Sequence, residues 1–134
     1  MFSIRTLATS LLLALLSNIG AAHTDEALDR QKSPNGGIVR MAGAYHLELS
    51  LQDGMARVYV TDHAGKPVAT QHSSATLTLL GERKSSLALR PANGNVLQAA
   101  HQLAKNSMVK TAVVSVNLDG KSAEQARYSN VPVR

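Results

Sequence analysis

The stretch "YHLELSLQDGMARVYVTDHAGKPV", Tyr45–Val68, decides the fold. Asp53-Gly54 is a two-residue pair suited to a type I′ hairpin turn, and alternating apolar and polar residues flank it on both sides. A two-residue loop sets Gln52 opposite Met55. Counting outward, Leu51 faces Ala56, Leu49 faces Val58 and Leu47 faces Val60, so six apolar side chains share one face. His46, Glu48, Ser50, Arg57, Tyr59 and Thr61 share the other. A slip of one residue would turn every apolar side chain to the wrong face, so the pattern fixes the register. The polar face reads as solvent-facing, with Glu48 opposite Tyr59 and diagonal to Arg57 as an ordinary exposed ion pair.

Similar runs lie on either side. "SPNGG", Ser33–Gly37, is a turn cluster, and Ile38–Met41 a short strand after it. "HAGKP" ends the hairpin. Val68–His72, Ala75–Leu80 and Ser85–Arg90 follow as strands between turns. Val109–Leu118 is the strongest β run, and Asp119-Gly120 turns it into a returning strand, Lys121–Tyr128. Seven to nine short strands at this spacing predict an all-β fold, a single immunoglobulin-like antiparallel β-sandwich. "NVLQAAHQLAKN" is double-edged. Asn95 suits a helix N-cap and Leu97, Ala100, His101 and Ala104 recur at helical spacing, whereas the surrounding strands favour an edge strand.

The N-terminus has a different character. Arg5, an apolar run from Leu7 to Leu16, and small Gly20 and Ala22 have the layout of a cleavable secretory signal peptide, residues 1–22. The run is too short to span a bilayer comfortably, and no later segment is apolar enough, so no transmembrane segment is expected in the mature chain. Residues 23–34 read as a flexible leader and 35–134 as the β domain. The expected location is the periplasm. Cysteine is absent, which leaves packing alone to hold an exported domain. The formal net charge of +5 is scattered, and aromatic residues make up 3% of the chain, which argues against nucleic-acid binding.

Candidate ligands are few. His46 faces Thr61 and is diagonal to His63, about 7–8 Å away along the backbone, within reach of two imidazoles sharing Cu(II) or Zn(II). His72 could join as a third ligand if its loop folds back. The plain alternative is two solvated histidines at a strand end. His23 offers a copper site only if cleavage follows Gly20, leaving Ala21-Ala22-His23 as a free terminus. Met41, Met55 and Met108 read as packing. His72-Ser73-Ser74 and Asp62-His63 carry the atoms of a nucleophile and a base, but no Gly-x-Ser-x-Gly elbow presents the serine, so no enzyme is expected.

From Ser33 to Thr70, "SPNGGIVRMAGAYHLELSLQDGMARVYVTDHAGKPVAT" resembles the start of small periplasmic β domains of proteobacteria. Some of these stand alone, and others form the N-terminal domains of heavy-metal efflux pump adaptor subunits. "RPANGNVLQ" and "AVVSVNLDGKSAEQARY" extend the resemblance to Tyr128. In the adaptor-linked relatives histidine often precedes the Gly-Gly turn; here Asn35 stands there, and a neutral amide is a poor transition-metal ligand. The resemblance implies a non-enzymatic periplasmic accessory or binding protein, tied to copper or zinc handling and partnered by an efflux component. It also favours a strand followed by a loop over residues 96–105. The competing expectation is a protein–protein interaction or structural module with no metal role.

Overall fold

The computed structural model describes residues 25–30 and 33–134. The expected export segment and His23 lie outside them. Among the described residues are a short helix, α1 (Asp25–Arg30), and eight strands: β1 (Ile38–Ala42), β2 (Tyr45–Gln52), β3 (Met55–Asp62), β4 (Ser74–Leu80), β5 (Lys84–Pro91), β6 (Val96–Ala100), β7 (Met108–Asn117) and β8 (Glu124–Pro132). No described helix is long and apolar enough to cross a membrane.

All strand pairs are antiparallel, and the order is β1-β2-β3-β6-β5-β4-β7-β8. Two local meanders, β1-β2-β3 and β4-β5-β6, and the β7-β8 hairpin are thus laid side by side. The sheet turns its corner at β5, where Leu89 still pairs with β4 while Arg90 and Pro91 pair with β6. The two ends of the order then meet. β1 occupies the outer edge of β2 along Tyr45–Leu49, and the end of the chain takes over from there. Leu51 and Val133 form a parallel bridge, Arg134 N–H donates to Leu51 O at 2.9 Å, and Asp53 N–H donates to Arg134 O at 3.0 Å. The all-β fold read from the sequence is therefore a sandwich curled nearly into a barrel, with β2 flanked by β3 on one side and by β1 and then Val133–Arg134 on the other.

The hairpin register is the one the alternation dictates, from Gln52 opposite Met55 to His46 opposite Thr61. Asp53 and Gly54 both have positive φ (54° and 74°), as a type I′ turn requires. Leu47, Leu49, Leu51, Ala56, Val58 and Val60 are buried. They pack against Leu77, Ala112 and Val114 from the other half of the sheet. Tyr128 is the largest side chain in this aliphatic core. Its hydroxyl donates to Leu47 O at 2.8 Å, tying β8 to β2 across the interior. Burial, above all, pushes that hydroxyl well above its ordinary titration range, so it stays a donor.

Two segments depart from the sequence reading. Val68–His72 is not a strand. It is the crossing from β3 to β4, hydrogen-bonded to the sheet through Val68 N–H to Val60 O and through Thr70, just after the Thr61–Pro67 bridge, with Val68 packed against the core. Pro67 has no N–H for a ladder, and the Thr70 hydroxyl fastens the crossing to Gly94 O and Val96 O at 3.3 and 2.8 Å. The expected flexible leader contains α1, whose Leu28 is only 2% exposed. Arg40 on β1 holds the helix through Asp29 (2.8 Å) and Asp25 (3.6 Å). Arg40 lies opposite Leu47, on the core-facing side of an edge strand, and an inward-pointing charge of this kind guards an edge against further strand pairing.

Candidate functional site

The histidine pair is built by the hairpin and the turn that ends it. β2 starts at Tyr45, so His46, its second residue, is the first on the polar face, opposite Thr61. β3 ends at Asp62, whose carboxylate accepts the N–H groups of Ala64 and Lys66, both at 2.9 Å. Gly65 N–H donates to Asp62 O, and Asp62 N–H to Lys66 O. This side-chain-locked turn holds His63 against His46. Their ring centres are 5.0 Å apart at an interplanar angle of 77°, an edge-to-face pair. His63 is exposed, while His46 is 7% exposed, so the two are not a pair of solvated histidines.

The spacing can be compared with that of a shared ion. A metal–nitrogen bond of ~2.0–2.1 Å puts each ring centre roughly 3.2 Å from the metal, and a tetrahedral angle then separates the centres by about 5.2 Å. The observed spacing is close to this. The other expected ligand does not join. His72 is exposed and lines a separate recess with Tyr45, Leu118, Asp119 and Lys121. Among the described residues no three histidine, aspartate or glutamate side chains are grouped to hold a metal ion. Nor do His72 and Ser73 resemble a catalytic pair. Ser73 is buried, and its hydroxyl accepts the Asp119 N–H at 3.1 Å, a turn-holding role.

The sequence reading missed Glu48, two residues along the same face of β2. It makes no ion pair with Arg57, whose Nε donates to Gln98 Oε1 at 3.3 Å instead. Glu48 is 4% exposed because Ser33–Gly37 lies over it. Asn35 N–H donates to both carboxylate oxygens, at 3.1 and 3.0 Å, and Asn35 Nδ2 reaches Oε1 at 3.5 Å. Gly37 makes this cover possible, since a Cβ there would fall 2.4 Å from Leu49 O. Arg134 Nη1 donates to Gly36 O at 3.1 Å and pins the cover to the end of the chain. The one available signal was Pro34 with the Gly36-Gly37 pair just before an edge strand, a place where backbone can approach backbone closely. Beside Glu48 is a recess of ≈ 310 Å³, bounded by Pro34, Val39, Tyr59, Thr61 and Pro67.

Among known proteins, no family model, no curated protein and no solved structure matches the chain.

Proposed function

We propose that this chain is a non-enzymatic binding protein of the bacterial envelope, exported by residues 1–22, whose His46–His63 pair takes a divalent transition metal. The observation behind this reading is the 5.0 Å ring spacing, held by a fixed register on one side and a carboxylate-locked turn on the other. The ion would be Cu(II) or Zn(II), which imidazole nitrogen suits. Two protein ligands leave water in the remaining positions, so affinity is modest and release is easy, as befits an accessory that hands metal to an efflux component.

Calorimetric titration with Cu(II) and Zn(II) at neutral pH and near pH 5 tests this. Binding is expected at neutral pH, and it should be lost in His46→Ala and in His63→Ala and retained in His72→Ala. It should also weaken at the lower pH, because a protonated imidazole cannot ligate. Binding unchanged in both variants overturns the assignment. A second reading, an interaction module without metal, is favoured by one feature. Met108 is 60% exposed in an open cleft of mixed character, where Leu79, Leu103 and Val109 lie beside Glu82, Arg83 and Lys110. Absence of any metal binding in the titration would leave that reading in its place.

A further inference from the structure

Glu48 is a buried carboxylate that faces a recess, and among the described residues it has no cationic partner. Taking a carboxylate out of water is costly unless donors or a cation compensate it. A carboxylate offers about four acceptor positions. Glu48 uses them sparingly, on one backbone N–H shared between its two oxygens and one long amide contact from the same residue. Acceptor capacity is left over on a side chain that lines the recess.

We propose that this recess binds a primary alkylammonium group, with the ammonium on Glu48 and its methylene chain against the walls. The position of Asn35 selects the cation. Its N–H is nearly equidistant from the two oxygens, at 3.1 and 3.0 Å, and so fills the fork between them. A guanidinium binds a carboxylate best through that fork, with two parallel N–H bonds. A compact ammonium needs only a single outer lone pair. Calcium and magnesium are excluded on different grounds, because hard cations gather six or more oxygens and no cluster of three or more carboxylate or histidine side chains is found among the described residues. The walls suit the rest of the ligand. Pro34, Val39 and Pro67 give apolar contact for methylenes, and Tyr59 adds an aromatic ring beside the positive charge. The ammonium can come from a free polyamine or from a lysine side chain, and both present the same group.

The test is a nuclear magnetic resonance titration of the whole chain, in the presence of chelator, with n-butylammonium, n-butylguanidinium and n-butanol, followed at the Asn35 amide. Saturable shifts with n-butylammonium are expected, with affinity at least about tenfold above that for the alcohol, the difference a charge-assisted hydrogen bond makes. The guanidinium should bind more weakly than the ammonium. Glu48→Gln keeps an acceptor for Asn35 and removes the charge, so it should lose about tenfold or more in ammonium affinity. Putrescine and Nα-acetyl-lysine methylamide then separate the two sources, and the tighter one names the natural ligand. Equal binding of alcohol and ammonium, preference for the guanidinium, undiminished binding in Glu48→Gln, or no shift at Asn35 would each overturn the proposal. The first two comparisons use the wild-type chain, so they stand even if the variant folds poorly.

Discussion

β2 and β3 are neighbouring strands of eight residues with the same alternation, paired residue for residue, yet they sit in different surroundings. β3 behaves as a one-sided strand. Ala56, Val58 and Val60 are buried, and Arg57, Tyr59 and Thr61 between them are half-exposed. In β2 every residue from His46 to Leu51 is buried. His46 is packed against His63, but the cover over Glu48 comes from outside the hairpin, from Ser33–Gly37, with Asn35 N–H on the Glu48 carboxylate and Gly37 so close to Leu49 O that a Cβ would not fit. Alternation reveals which face of a strand looks into the core. Whether the other face meets water depends on where distant chain comes to rest.

The largest test breaks the feature the two strands share, their inner face. Leu49 is fully buried opposite Val58. Leu49→Ala is expected to cost ~2–5 kcal/mol, the lost transfer energy plus the cavity left behind. Urea denaturation measures it. A loss below about 1 kcal/mol would mean that the two halves of the sheet are not packed through the hairpin.

The next test sharpens the difference between the outer faces. In Gly37→Ala the new Cβ would meet the Leu49 carbonyl, a backbone atom that cannot swing aside. The cover must lift, at an expected cost of ~1–3 kcal/mol, typical of overpacking. Hydrogen exchange at the Asn35 amide should speed up as its bonds to Glu48 break. Arg57→Ala, on the uncovered face of β3, should change stability by no more than about 0.5 kcal/mol. Similar losses in the two variants would erase the distinction between the strands.

The parts of the molecule that could be read from the sequence were those whose partners lie nearby in the chain. The β2–β3 register, and with it the meeting of His46 and His63, follows from the Asp53-Gly54 turn and the alternation, because a two-residue loop leaves little choice. Asn95 shows the opposite case. As a local signal it suits a helix N-cap, but in the structure its Nδ2 donates to Val60 O and its own carbonyl accepts Val60 N–H, both at 3.0 Å. A partner thirty-five residues away decides that Val96–Ala100 is a strand. α1 was hidden for the same reason, since Asp25 and Asp29 find their cation on a strand of the sheet, at Arg40. Glu48 looked like half of a surface ion pair because nothing near it in sequence indicates that Asn35 will cover it.

The smallest expected effect is on the flank of β3 away from β2. β6 ends at Ala100, opposite Met55, and His101 N–H donates to Gly54 O at 2.9 Å. The His101 ring turns back so that Nδ1 accepts the Leu103 N–H at 3.1 Å, which requires Nδ1 to be unprotonated. Its Nε2 is buried without a hydrogen-bond partner. Burial lowers the pKa of His101 below its ordinary 6.5. The folded chain therefore favours the neutral ring, and between the depressed folded value and 6.5 the unfolded chain binds more protons. The contribution of His101 to stability is thus complete above about pH 6.5 and is lost as pH falls toward the folded pKa. His101→Asn keeps an acceptor for Leu103 and does not titrate. Urea midpoints measured from pH 7.5 down to 5.5 should fall slightly more in the wild type than in this variant, with the other titrating groups cancelling in the difference. Parallel curves would mean that the bond to Leu103 does not depend on the charge of the ring, and that this flank of β3 is as indifferent to its polar side chains as the Arg57 face.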